Sequence, residues 1–173
     1  MLARVKVIDM PDGSAFDRLH LFRDLNPAQA ALVRSLFTPC HEAAGNFLFE
    51  QGDAAEFLYL IVVGEVAIRY KPEDGAEIVL SHVRPEGLVG WSAALGNSAY
   101  TSSAVCVADC LLLRARGQDL RRLCERNPEI GSLVLERLAA VVAERLSGAH
   151  DQVVALLEHG LRVNNKSLHF EGG

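Results

Sequence analysis

The chain has 173 residues, half of them apolar, with 17 Lys and Arg against 22 Asp and Glu and a net charge of −5. This length is enough to bury one sizeable core, and the charge argues against the basic field of a protein that binds DNA or an anionic membrane. No apolar run is long enough to span a bilayer, and residues 1–13 lack the basic-then-apolar order of a signal peptide. We therefore expect a cytoplasmic protein without membrane contact.

The N-terminal part of the chain predicts an arm and then helical turns. We assign residues 1–15 to the arm, and the apolar residues between 16 and 25 predict one or two helical turns packed on a core. Asn26 is a good N-cap and Pro27 suits the first helical position. The first confident helix is therefore expected from Pro27 to about Phe37.

From Cys40 to Arg116 the character of the chain changes to β-type segments separated by glycines, most of them about a dozen residues apart. This spacing predicts a small antiparallel roll or barrel. The uniformly apolar stretch Phe57 to Val63 predicts a central strand. Val66, Ile68 and Tyr70 alternate with a second set on the wet face, which consists of Glu65, Ala67, Arg69 and Lys71, and this period of two predicts a strand with one wet face. Cys110 to Arg116 is expected to close the roll.

A hairpin loop within the roll and two helices after it are also predicted. Lys71 to Gly75 has the chemistry of a hairpin loop. The residues after Gly117 predict a short helix that ends at Asn127, and Pro128 begins a long one that runs to about His159. The expected divisions are the roll over residues 16–126, the long helix over 127–161 and a loose tail over 162–173.

The long helix carries two apolar stripes, which a single small roll cannot cover over such a length. One stripe contains Ile130, Val134 and Val141, and the other includes Leu135 and Leu138. The second stripe therefore predicts a parallel homodimer.

The stretch from Gly87 to Ser103, GLVGWSAALGNSAYTSS, interrupts the β segments with a short helical turn and a cluster of hydroxyl residues. The turn Ser92 to Leu95, entered from Gly90, leaves leading N–H groups that can attract a phosphate or carboxylate. Two interpretations stay open at this point, an anion-binding cassette and a plain strand connection.

Cysteine and histidine spacing gives little support for metal or catalytic chemistry. The four cysteines Cys40, Cys106, Cys110 and Cys124 show no CxxC pair, and the six histidines form no HxH or HExxH motif. Reduced and mostly buried thiols are expected, with a redox role for Cys106 and Cys110 as the less favoured interpretation. GxSxG is absent too, so we expect no enzymatic activity.

Taken in order, these segments resemble the cyclic-nucleotide-binding domain of the catabolite activator and protein kinase regulatory subunit family. The likeness covers roughly residues 19–156. It rests on six local matches in the family's order, GNFLFEQGD from Gly45, GEV from Gly64, IVLS from Ile78, GLVG from Gly87, ADC from Ala108 and NPEI from Asn127. The resemblance implies an α+β fold, an antiparallel, jelly-roll-like β-roll (double-stranded β-helix) with an N-terminal helix and a long C-terminal dimerisation helix.

The cassette departs from the family's pattern at its two charged positions. Trp91 stands where the family has the Glu that holds the ribose, and Tyr100 stands where it has the Arg that neutralises the cyclic phosphate. A charged bidentate donor is worth about 1.5 to 3 kcal/mol against about 1 kcal/mol for a neutral hydroxyl. We therefore expect cyclic AMP to bind weakly or not at all.

Several other residues match positions that line the family's pocket. The expected ligand-binding set is Ile68, Leu80, Ser81, Leu88, Gly90, Trp91, Ser92, Tyr100 and Thr101. Gly90, Ser92 and Thr101 could still supply amides and hydroxyls to a small anion. Trp91 and Tyr100 would make the pocket more aromatic or close it.

Two functions follow from the resemblance. The first is a small-molecule sensor, binding a cyclic nucleotide weakly or another small anionic or aromatic ligand, which shifts the helices of a dimer. The second is an interaction module that has lost its ligand and acts on an unknown downstream protein. The family's transcription factors continue into a helix-turn-helix domain, which this chain does not show, so no direct DNA binding is expected. Arg145 and His150 are candidates for the part of the long helix that meets the base of a nucleotide.

Overall fold

The computed structural model describes residues 15–143. Two 3-10 turns, Phe16–Arg18 and His20–Phe22, come first. The helices are α1, Pro27–Arg34, α2, Ser92–Leu95, α3, Gly117–Arg126, and α4, which begins at 128 and continues to the end of the described range. The strands are β1, Thr38–Glu42, β2, Phe47–Phe49, β3, Phe57–Val63, β4, Val66–Tyr70, β5, Ile78–Val83, β6, Leu88–Val89, β7, Ser103–Cys106, and β8, Cys110–Arg116.

The strands form two antiparallel four-stranded sheets. The first has the order β1-β8-β3-β6 and the second the order β2-β7-β4-β5. Apart from β4 and β5, which pair as a hairpin, strands that are consecutive along the chain fall in different sheets, and the two sheets face each other as a roll. The predicted fold class, an antiparallel β-roll with flanking helices, is confirmed.

Buried side chains form two separate cores. The inter-sheet core lies inside the roll and includes Phe49, Tyr59, Ile68 and Tyr100. The helix-side core lies between the outer face of the first sheet and the helices, and its members include Leu58, Leu60, Leu111, Leu113, Phe16, Phe22, Val33, Leu120, Val134 and Leu138. Strand β3 contributes side chains to both cores, one from each of its faces, which explains why its sequence is apolar throughout.

Local sequence signals place the first helix. The Asn26 side chain accepts from the Gln29 N–H at 2.9 Å, and the Gln29 side chain accepts from the Asn26 N–H at 3.0 Å. This capping box satisfies donors that would otherwise be unpaired at the start of α1. The helix ends at Arg34 and not near Phe37 as predicted, since Leu36 and Phe37 continue as a turn that leads into β1.

The predicted wet face of β4 is only partly correct. Val66 and Ile68 face the inter-sheet core as expected, but Ala67, which was placed on the wet face, is also buried. Tyr70, which was placed on the inner face, is exposed at the end of the strand. Neighbouring strands on both sides cover the middle of β4, so alternation of residue type alone misplaces both residues.

The two apolar stripes of α4 do not separate as predicted. Val134 and Leu138 are both buried in the helix-side core, although they were assigned to different stripes. Leu135 remains 42% exposed on the outward face. The part of the chain after residue 143, with Arg145, His150 and the predicted helix end near His159, lies outside the described residues, as do the tail and residues 1–14 of the arm.

Within residues 15–143, no helix has the length and apolar character needed to cross a bilayer.

Candidate functional site: the cassette between β6 and β7

The cassette begins where the chain leaves the first sheet. Strand β6 ends at Val89, and Gly90 follows with a φ of +75°. A Cβ atom at Gly90 would lie 2.6 Å from the Phe57 carbonyl oxygen, so only glycine fits this close approach to β3. The predicted helical turn then forms as α2, Ser92–Leu95, and closes at Gly96, which has a φ of +78°.

The loop after α2 folds back onto the segment before β3. The Tyr100 N–H donates to the Asp53 carbonyl at 2.9 Å, the Gly52 N–H donates to the Tyr100 carbonyl at 2.9 Å, and Ala54 bridges Ala99. This short antiparallel pairing turns the Tyr100 side chain into the roll.

Tyr100 fills the interior of the cassette. Its ring stacks on Phe49 with centroids 3.8 Å apart and an interplanar angle of 14°, and the residue is only 5% exposed. Its hydroxyl donates to the Phe57 carbonyl oxygen at 2.6 Å and accepts from the Phe57 N–H at 2.9 Å. Burial raises the pKa of Tyr100, so the phenol stays neutral.

The backbone groups of Phe57 explain why a hydroxyl is held at this point. Strand β3 pairs with β6 only at Tyr59 and Leu60, because β6 has already ended where Phe57 lies. The Tyr100 hydroxyl supplies the hydrogen bonds that a longer β6 would have made. Both hydrogen bonds of this hydroxyl are therefore made to Phe57 and none is left for a ligand while the ring stays in this position.

A small cavity remains beside the Tyr100 ring, which we call the plug of the cassette. It has a volume of about 20 Å³ and is lined by Phe49, Ile68, Gly90, Trp91, Ser92, Tyr100, Thr101 and Ser102. This volume suits about one water molecule, whereas pockets for drug-sized ligands have volumes of about 300 to 1,000 Å³. Six residues of the expected ligand-binding set therefore lie together around a space too small for a nucleotide.

The other three residues of that set lie elsewhere. Leu80 is 52% exposed on β5, with Ser81 beside it, and Leu88 is buried in the helix-side core. None of the three lines the cassette cavity. They lie apart from the cavity because β5 is the edge strand of its sheet and Leu88 points to the opposite face of β6 from Val89. A role of these three residues in ligand binding stays a prediction.

One of the leading amides of α2 is already hydrogen-bonded within the turn. The Ala93 N–H donates to the Gly90 carbonyl at 3.0 Å, and Ser92 is buried. The Arg121 guanidinium donates to the Ala93 carbonyl and ties α2 to α3. Thr101 is exposed. The Ser103 hydroxyl already accepts a hydrogen bond from the Gln51 N–H at 2.9 Å.

Sequence reasoning missed Phe49, the stacking partner of Tyr100. Phe47 and Phe49 have the spacing of residues on one face of a strand, yet Phe47 is exposed and Phe49 is buried. The register of β2 against β7 shifts between these two residues, and this irregularity sends their side chains to different environments. Regular alternation could not have distinguished them.

Trp91 does not close the cassette in the way we considered. It is half-buried, lies at the edge of the small cavity and packs partly against the helix-side core.

Among residues 15–143, no group of three or more His, Cys, Asp or Glu side chains is arranged to hold a metal ion.

Comparison with known proteins places this geometry in a family. The cyclic AMP receptor protein of Thermus thermophilus is 34% identical over 129 residues, which cover 75% of this chain and 58% of that protein. The crystal structure of the Thermus thermophilus catabolite activator protein superposes with a TM-score of 0.62 at 34% identity, covering 80% of this chain and 62% of that one. The chain thus spans about three fifths of these relatives' length.

A cyclic nucleotide-binding domain from Methylobacillus flagellatus has the same fold, with a TM-score of 0.71 at 19% identity over 82% of this chain and 80% of that one. The family model described as cyclic nucleotide-binding domain matches residues 40–127, which begin within β1 and include β2 to β8 and all of α3. With a roll, a helical turn between β6 and β7 and this match, the chain belongs to the cyclic nucleotide-binding domain family.

Proposed function

We propose that this chain is a non-enzymatic regulatory domain whose cassette is filled by its own side chains and which acts through a dimer formed on α4. The observation that carries the proposal is Tyr100, stacked on Phe49 and hydrogen-bonded twice to Phe57. A cyclic nucleotide would have to displace this ring and break both hydrogen bonds before it could enter.

The chemistry of the cassette also disfavours a cyclic phosphate. Neither Trp91 nor Tyr100 carries a charge that could pair with ribose hydroxyls or phosphate. The charged donor that the resemblance places at position 100 is worth about 1.5 to 3 kcal/mol, and here the neutral hydroxyl is used internally. Filled volume and missing charge therefore support the same conclusion from independent directions.

The outward face of α4 supports the dimer. Ser132, Leu135 and Ala139 are exposed and lie three or four residues apart, so they share one face of the helix. Small residues on both sides of a leucine permit close approach of a second helix. A second copy presents the same face, which is the self-complementary arrangement of a two-fold dimer.

Calorimetry with cyclic AMP tests the proposed function of the cassette. The wild-type chain should show no binding at micromolar nucleotide, and a sub-micromolar dissociation constant would refute the proposal. The double variant Trp91→Glu with Tyr100→Arg removes the plug and introduces the family's charged pair, so its affinity should increase. Tyr70→Arg is the matched control, because it adds the same charge at an exposed tyrosine outside the cassette, at the end of β4.

A titration with inorganic phosphate distinguishes an anion sensor from an interaction module whose cassette is filled by Tyr100. If the cassette is plugged, the amide NMR signals of Gly90, Ser92, Ala93 and Thr101 should stay in place. A common shift of all four signals, weakened by Thr101→Val, would instead support an anion sensor at this site.

A further inference from the structure

A groove outside the cassette lies between the segment before α1, the turn that joins β5 to β6, and α4. Its volume is about 500 Å³, and its lining comes from residues 20–21, 82–88 and 141. This volume falls within the range of about 300 to 1,000 Å³ that is usual for small-molecule sites. The groove shares no lining residue with the small cavity of the cassette, so the two spaces are separate.

Hydrogen bonds hold the walls of the groove in place. Glu86, in the turn before β6, has a φ of +72°, and its N–H donates to the Ile61 carbonyl at 3.0 Å. Its carboxylate accepts from the His20 N–H at 3.0 and 3.1 Å. On the side of α4, the Arg137 guanidinium donates to the Leu21 carbonyl at 2.6 Å. The groove is therefore built before any ligand enters, which lowers the ordering cost of binding.

The floor of the groove is apolar. Val83 and Leu88 line it with side chains that are otherwise buried, and Leu21 and Val141 line it with half-buried ones. These four aliphatic side chains come from three separate parts of the chain. An aliphatic ligand would leave water by lying across them, and each of its methylene groups would strengthen binding.

A guanidinium is available at the rim. The Glu65 carboxylate, which does not line the groove, lies 2.7 Å from His82 Nδ1 and 3.3 Å from Arg84 Nε. The Arg84 side chain is 77% exposed, and among the described residues its hydrogen bonding is through Nε alone. Its two terminal nitrogens are therefore free to donate to a carboxylate, which a guanidinium can bind through two parallel hydrogen bonds.

The acidic group of the groove is already paired. Glu86 is the one carboxylate among the described lining residues, and both of its oxygens accept from the His20 main chain. The charged donor that remains open to a ligand is Arg84. Charge at the rim thus favours an anion, and the floor favours an aliphatic body.

We propose that this groove is a binding site for an aliphatic monocarboxylate, with its chain on the apolar floor and its carboxylate on the Arg84 guanidinium. The site goes beyond the function proposed above, because it is separate from the cassette and stays open while Tyr100 fills that cassette. The occupant would contact Leu88 of the roll and Val141 of α4 together. Binding would therefore favour one placement of α4 on the roll.

Titration of the full chain with octanoate, followed by amide NMR, tests the site. The signals of Gly87, Leu88 and Val141 should shift together, and those of Ser92 and Thr101 should stay in place. Octanol and octylammonium have the same chain without the carboxylate, and they should bind about tenfold more weakly or worse. Unmoved groove signals at millimolar octanoate, shifts at Ser92 and Thr101 instead, or equal binding of octanol and octanoate would each overturn the proposal.

The two halves of the site can be tested separately. Arg84→Gln should weaken octanoate about tenfold and leave octanol unchanged, and its exposed position makes a folding defect unlikely to interfere. Arg122→Gln, at an exposed arginine of α3, is the matched control and should bind octanoate like the wild type. Hexanoate should bind the wild type several-fold more weakly than octanoate. Unchanged octanoate affinity in Arg84→Gln would contradict the role of the guanidinium, and equal affinities of hexanoate and octanoate would contradict the apolar floor.

Discussion

The guanidinium of Arg137 lies 2.6 Å from the carbonyl oxygen of Leu21 and joins α4 to the segment that precedes α1. The same group donates to the Arg23 carbonyl at 2.7 Å. On the other side of this segment, the Glu86 carboxylate accepts from the His20 N–H at 3.0 and 3.1 Å. Residues 20–23 therefore connect the turn before β6 to the helix that we propose as the dimer contact.

Arg137→Ala should loosen this connection. Hydrogen bonds to a charged group contribute about 1.5 to 3 kcal/mol, so the free energy of unfolding in urea should fall by an amount in that range. Amide hydrogen exchange of residues 16–25 should accelerate more than that of β3. Arg122→Ala is the control, because Arg122 is exposed and its contact with Asp119 is long, at 3.5 Å. This substitution should change the free energy of unfolding by less than about 0.5 kcal/mol. Equal effects of the two variants would contradict the bridge.

Tyr100→Phe tests the two hydrogen bonds of the plug. The substitution keeps the ring on Phe49 but leaves the Phe57 N–H and carbonyl without the hydroxyl, and unsatisfied buried polar groups cost about 1 to 3 kcal/mol. We expect a loss of stability in that range in urea titration. Tyr70→Phe, at an exposed tyrosine, should have little effect. The importance of the hydroxyl would be disproved if the two variants were equally stable.

Leu135→Glu tests the dimer through α4. A charge on the outward face should prevent a second copy from packing there, since burying it without a partner is strongly unfavourable. Light scattering should report twice 18.8 kDa for the wild type and 18.8 kDa for the variant. Leu95→Glu, at an exposed leucine on α2, should stay dimeric. Leu138 is unsuitable for this test because it is 4% exposed in the helix-side core, and its replacement would damage the fold.

Alkaline pH should destabilise the fold through Tyr59. Burial raises the pKa of this phenol from 10.0 to about 12. Between these values the unfolded chain releases the proton while the folded chain keeps it, so increasing pH favours unfolding. The contribution of Tyr59 is fully present below about pH 10 and is lost as the pH rises to about 12.

Urea titrations at a series of alkaline pH values would measure this loss. Tyr59→Phe should make the decline above about pH 10 shallower, because the variant has no proton to release at this position. An equally steep decline in both proteins would assign the alkaline loss to other groups.

Much of the fold could be predicted because its signals are local. The capping pair at Asn26 and Pro27, the apolar run of β3 and the turn Ser92 to Leu95 each follow from neighbouring residues. Their order along the chain matched the family motifs. The loss of charge at Trp91 and Tyr100 was visible in the same way, since it depends only on residue type at a motif position.

The tertiary structure determines which side chains fill the cassette. Phe49 and Tyr100 meet because the loop after α2 pairs with the segment around Asp53, and because an irregular register in β2 turns Phe49 inward. Likewise, the sequence of α4 offers two apolar stripes, and packing against the first sheet buries Leu138 while it leaves Leu135 exposed. Side-chain type determines which residues can be buried, but which of them meet depends on how distant strands and helices pack against one another.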